Sequence, residues 1–140
     1  MPNTPVEARV RVRYAETDQM GVVYHANYLV WMEVGRVEYC RAAGFRYRDL
    51  EAEGILLAVV EANCRYLAPA LYDDEIVVRT TIEEATPRVV RFGYQILSGE
   101  EGRLLAEGYT KHVFCGRDKR AMKLPQRFHH VFGIAAPLAE

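Results

Sequence analysis

From Val6 to Tyr14 the chain alternates without a break, with Val6, Ala8, Val10, Val12 and Tyr14 on one side and Glu7, Arg9, Arg11 and Arg13 on the other. A period of two predicts a half-buried strand. After a polar loop the period lengthens. Placed at 100° per residue, Tyr28, Trp31, Met32, Gly35, Tyr39, Ala42 and Ala43 fall within one arc of roughly 120°, which predicts a helix from Asn27 to Ala43. Gly44 ends it. Gly35 lies inside the apolar stripe, where it costs ~1 kcal/mol relative to alanine, and close backbone approach to a sheet is the expected compensation. On the far side Val30, Val34 and Val37 sit among Glu33, Glu38 and Arg41, more apolar than a solvated face requires. Contact with another subunit and chance exposure of three valines are the two readings.

A short polar helix is expected at Tyr47 to Glu53, closed by Gly54. Four strand signals follow. Ile55 to Leu67 is apolar and β-rich; Glu75 to Glu84 puts Ile76, Val78, Thr80 and Ile82 on one face; Val89 to Leu97 does the same with Val90, Phe92, Tyr94 and Ile96; Arg103 to Cys115 is the last. Ala70 to Asp74, the Ala85-Thr86-Pro87 break and Ser98 to Gly102 connect them, the last with the glycines and length of a hairpin. Gly116 to Arg120 reads as a polar turn, Lys123 to Pro125 as an extended piece and Gln126 to Phe132 as a terminal helical turn. The order defines an α+β domain, one long helix on an antiparallel sheet. A single helix covers one face of such a sheet, so the exposed face and edges favour association.

The 140 residues fit one domain, 1–140, and 50% hydrophobic with 26% charged content is ordinary for a soluble protein. A net charge of -1 gives no general attraction to nucleic acid. No stretch approaches the ~18 apolar residues of a membrane span, and Met1 to Val6 lacks the basic-then-apolar order of a signal peptide. A cytoplasmic location is expected. Cys40, Cys64 and Cys115 contain no C-x-x-C pair and suit free buried thiols in a reducing compartment.

Elimination narrows the chemistry. Ser98 is the only serine and lies in a hairpin, so a G-x-S-x-G elbow is excluded; phosphate-loop and dinucleotide fingerprints are missing too. His25, His112 and the adjacent pair His129 and His130 do not form a metal-ligand spacing, and no metal is expected. Asp18 remains. It is either a turn aspartate bonded to its own loop or a reacting carboxylate. Its neighbourhood favours the second reading: Gly21 lets the loop fold back, and the helix start at His25 to Tyr28 offers unpaired N–H groups to a developing negative charge.

The stretch Tyr14-Ala-Glu-Thr-Asp18-Gln-Met-Gly21-Val-Val-Tyr24-His25-Ala-Asn27-Tyr28 resembles the signature of hotdog-fold acyl-CoA thioesterases of the 4-hydroxybenzoyl-CoA thioesterase type, most closely their Tol-Pal-associated bacterial branch. Arg65 to Asp74 matches a second, weaker family segment, and the resemblance covers nearly the whole chain. It implies a five-stranded antiparallel sheet wrapped around a central helix, dimers with a continuous sheet and a site between subunits, and pairing of dimers into tetramers. It also implies that Asp18 attacks the thioester carbonyl or activates water, while the main-chain N–H of His25 polarises that carbonyl.

The reaction so implied converts an acyl-CoA into a carboxylic acid and CoA, with no separate cofactor. Asp18 is nucleophile or general base, and the His25 ring either orients substrate or packs the helix entry. Gly21, Tyr24, Asn27 and Tyr28 complete the expected substrate site. Arg88 is the first candidate for the CoA phosphates, followed by Arg91, Lys119 and Arg120, and Glu61 is a further candidate carboxylate in an apolar strand. Two alternatives share the fold: a hydratase or dehydratase with His25 as base, and an acyl-CoA-binding module without turnover.

Overall fold

A computed structural model describes residues 4–135. Five strands, β1 (Val6–Arg11), β2 (Leu56–Tyr66), β3 (Glu75–Ala85), β4 (Val89–Ser98) and β5 (Leu104–Cys115), form one antiparallel sheet in the order β1-β3-β4-β5-β2. Helix α1 (Asn27–Ala42) lies across its inner face, chiefly over β1 and β3, and α2 (Tyr47–Ala52) follows it. A 3-10 segment at Gln126–Phe132 closes the end of the core. Most sequence-derived boundaries agree to within a residue. The fold is that of the hotdog, a sheet curled around one helix.

The alternating strands bury the faces expected of them. Ile76, Val78, Thr80 and Ile82 from β3, and Val90, Phe92, Tyr94 and Ile96 from β4, meet Trp31, Met32 and Tyr39 from α1. The Phe92 ring packs against Tyr39, His112 and Phe132, so the inner sheet face, the helix and the terminal segment share one aromatic cluster. Cys40 and Cys115 are buried, Cys64 is half-buried, and all three are free. Burial pushes the Cys40 thiol up to about 12, which leaves it a small apolar filler rather than a nucleophile.

The close approach expected at Gly35 is present. A Cβ there would meet the Thr80 hydroxyl and lie 2.8 Å from Val78 Cγ1, both on β3. Gly35→Ala is expected to lower Tm: overpacking of about 1–3 kcal/mol outweighs the ~1 kcal/mol gained in helix propensity. Thermal denaturation of the purified variant checks this.

Three expectations need correction. The first strand stops at Arg11 rather than running to Tyr14, because Arg13 N–H donates to the Glu16 carboxylate at 2.8 Å and the chain turns into a 3-10 segment, Tyr14–Glu16. That leaves Tyr14 77% exposed. On α1, Ala42 faces solvent, whereas Arg36 and Cys40 join the buried face. Of the three valines on the far side, Val30 is exposed but Val34 and Val37 are half-buried.

Strand β2 forms one edge of the sheet and is exposed over most of its length. A bulge between Val59 and Glu61 inserts Val60, and the two valines are 51% and 54% exposed. The edge is long, apolar and unpaired among the described residues.

Candidate active site

The segment between β1 and α1 is held by Glu16. Its buried carboxylate accepts the Arg13 N–H and, at 3.3 Å, the Trp31 indole N–H of α1, with Arg13 Nε 3.7 Å away. Its carbonyl accepts the Tyr24 N–H at 2.8 Å and Asn27 Nδ2 at 2.9 Å. One residue thus ties the turn to the helix start. A charge this deeply placed is tolerated because donors on both sides satisfy it.

Beyond Glu16 the chain doubles back through a tight loop. Thr17 and Val23 form an isolated bridge, Asp18 N–H donates to the Val22 carbonyl at 2.9 Å, and Gly21 N–H donates to the Asp18 carbonyl at 3.0 Å. Gly21 has φ +80°, a left-handed conformation that side-chain-bearing residues rarely take, which explains the glycine the motif carries there. Asp18 Oδ1 accepts the Met20 N–H at 2.8 Å; Oδ2 has no hydrogen-bond partner among the described residues. The turn reading of Asp18 is thus present in the structure, and it occupies only one of the two carboxylate oxygens. One oxygen fixes the loop and the other is available.

Helix α1 begins without a side-chain cap, since Ala26 stands at its N-cap in the helical region. The N–H groups of Asn27, Tyr28 and Leu29 turn back onto the carbonyls of Tyr24, His25 and Ala26 at 3.0–3.2 Å. Those of His25 and Ala26 donate to nothing among the described residues. The His25 carbonyl accepts the Tyr66 hydroxyl from β2 at 2.8 Å, and the His25 ring lies between the rings of Tyr24 and Tyr66. Partial burial of its hydroxyl pushes Tyr66 up to about 12, so it stays protonated and a donor at neutral pH. Tyr28 is buried and its hydroxyl accepts the Ala70 N–H at 3.2 Å.

These parts meet in a cleft of about 380 Å³. Asp18, His25 and Tyr28 line it, facing Tyr66, Leu67 and Pro69 from the end of β2 and the turn beyond. Among the other residues singled out in the sequence, Gly21 shapes the loop, Tyr24 is exposed against the His25 ring, and Asn27 spends its amide on the Glu16 carbonyl. Glu61, Arg88 and Arg91 do not line the cleft of this single chain. Glu61 accepts the Tyr109 hydroxyl; Arg91 bonds to Glu83 at 2.9 Å and stacks 3.6 Å over the Tyr109 ring; Arg88 is exposed at the start of β4. Lys119 and Arg120 lie in the polar turn after β5, and Lys119 lines a different cavity.

Sequence reasoning did not single out Glu16 or Tyr66. Glu16 lies inside the motif, where it reads as one more polar loop residue. Tyr66 lies within the second quoted segment, and its role depends on β2 returning to the helix start, a contact spanning 41 residues.

A carboxylate with a free oxygen, beside a helix start with undonated N–H groups, is an arrangement suited to acyl transfer. A model of the thioesterase-like superfamily matches residues 12–132, and the chain belongs to that family. YneP of Bacillus subtilis, provisionally named an acyl-CoA thioesterase, is 44% identical over 123 residues, covering 88% of this chain and 86% of YneP. The acyl-CoA thioesterase YbgC of Haemophilus influenzae is 37% identical over 129 residues, with 87% and 93% covered. Among solved structures, the DHNA-CoA thioesterase of Staphylococcus aureus superimposes with a TM-score of 0.88 at 32% identity, covering 91% of this chain and 88% of that one. No helix among the described residues is long and apolar enough to cross a membrane.

Proposed function

We propose that this protein hydrolyses acyl-CoA thioesters to a carboxylic acid and free CoA, with Asp18 as the reacting carboxylate. The observation that carries the reading is that one cleft is lined both by Asp18, whose Oδ2 has no partner, and by His25, whose N–H is undonated among the described residues. The thioester carbonyl oxygen sits on the His25 N–H, and its growing negative charge is held there; loss of such a donor costs ~3 kcal/mol in comparable sites. Asp18 either attacks the carbonyl carbon, giving a mixed anhydride that water then cleaves, or takes a proton from a water that attacks it. In both routes the C–S bond breaks and CoA leaves as a thiol after protonation. The Tyr66 hydroxyl holds the His25 carbonyl and thereby the peptide that carries the next N–H.

The motif supports placement nearest the 4-hydroxybenzoyl-CoA thioesterase type and its Tol-Pal-associated branch. The exposed β2 edge supports a dimer in which two copies continue one sheet, with dimers pairing further into a tetramer. In that assembly Glu61 and the basic residues Arg88, Arg91, Lys119 and Arg120 of a second copy are candidates for the wall and the CoA phosphate contacts that one chain lacks. The free thiols suit the cytoplasm. No cofactor enters, because CoA is part of the substrate.

A panel of short, aromatic and long acyl-CoAs, followed by thiol trapping of released CoA, tests the reading. Release from at least one class is expected. Tight binding without release across the panel would make the protein a binding module, and water addition to an enoyl-CoA without thiol release would make it a hydratase.

A further inference from the structure

At the other end of α1 and β2 from Asp18 lies a second, larger cavity of about 910 Å³ between α1, α2 and the start of β2. One wall is apolar, from Val37, Leu56 and Leu57; Arg36 and Tyr47 lie among the polar residues. Arg36 is the unusual member. It is only 9% exposed, its Nε has no partner, and its guanidinium reaches only tyrosine hydroxyls, that of Tyr94 at 3.5 Å and that of Tyr47. Glu33 and Glu51 also line the cavity, yet neither forms an ion pair with Arg36. Tyr94 is committed in turn to Thr110 at 2.6 Å.

A buried guanidinium with no carboxylate is an expensive arrangement, since a desolvated charge is destabilised unless a counter-charge is near. Arginine presents a planar fork suited to two oxygens of one oxyanion. Beside it the apolar wall fits a hydrocarbon stem. We propose that this cavity binds an oxyanion carried on an apolar stem, a carboxylate in the first instance, with Arg36 as its counter-ion and Tyr47 as a second donor.

The anion has two sources. One is a free small carboxylate. The other is the far end of an acyl group, a version that rests on the thioesterase reading: antiparallel two-fold pairing about the middle of β2 would bring the Leu56 end of one copy beside the Tyr66 end of the other, and so this cavity beside the neighbour's cleft.

Thermal unfolding of the full-length protein with hexanoate, with inorganic phosphate, and with sodium chloride at equal ionic strength tests the site without any turnover. Hexanoate is expected to raise Tm in proportion to the logarithm of its concentration above Kd, by about 4 °C at roughly ten times its Kd. Arg36→Met should abolish the rise, and Arg36→Lys, which keeps the charge, should retain part of it. In a second arm, kcat/KM is compared for adipoyl-CoA and hexanoyl-CoA. A preference for adipoyl-CoA that falls at least tenfold in Arg36→Met assigns the anion to the acyl group; an unchanged ratio, with the Tm response to hexanoate present in the wild type and lost in Arg36→Met, assigns it to a free carboxylate. A Tm response no larger than that to chloride, or one that persists in Arg36→Met, overturns the proposal. So does an Arg36→Met variant that dissociates while keeping its response to hexanoate, because the counter-charge would then come from a second copy. The Tm arm stands even if no acyl-CoA is hydrolysed.

Discussion

Asp18→Asn is expected to lower kcat for CoA release by about 10³-fold, the scale set by loss of a positioned base. The substitution is selective because asparagine keeps a side-chain oxygen that can still accept the Met20 N–H, so the loop that depends on that bond persists. What disappears is a carboxylate able to take a proton or attack a carbonyl. KM should change little and Tm should stay within a degree or two. Steady-state kinetics with a thiol trap, paired with a melting curve, separates the two effects; undiminished turnover in a folded variant would sink the role given to Asp18.

Acid should cost the protein about 3 kcal/mol through His112 alone. Burial, reinforced by the nearby Arg36 guanidinium, holds this imidazole down at about 4 against an ordinary 6.5. The unfolded chain therefore binds a proton that the folded chain refuses between those values. The contribution is fully present above pH 6.5 and is lost as pH falls towards 4. In the folded state Nε2 pairs with the Thr110 hydroxyl at 2.8 Å, and the Leu57 backbone carbonyl, which favours the protonated ring, only partly offsets burial and the Arg36 charge. Urea unfolding at a series of pH values checks the slope. A His112→Gln variant, less stable at neutral pH, should show a flatter profile between pH 6.5 and 4.

Local patterns carried most of the fold. The apolar positions of β3 and β4 alternate, and those of α1 recur every three to four residues, because each element buries one face. The failures are equally physical. Tyr14 continues the alternation of β1 in sequence, but the Glu16 carboxylate captures the Arg13 N–H and turns the chain first. Arg36 lies on the buried face of α1, yet a residue-type pattern reads a guanidinium as solvated; only the tyrosines brought over it by β4 and α2 keep it inside. Asp18, His25 and Tyr28 were legible together because the loop and the helix start are neighbours along the chain. The facing wall was not, since Tyr66 reaches His25 only through a long-range return of β2.

The β2 edge also bears on how this chain survives in a crowded cell. Eleven residues without a proline, with Glu61 and Arg65 as the only charges, offer an open row of backbone donors and acceptors beside two exposed valines. Such a strand recruits other strands indiscriminately. On the proposed pairing of two copies through β2, a freshly synthesised copy is at risk from the moment it folds until that edge is covered. On that pairing, loss of protein to aggregation should follow the lifetime of the uncovered strand.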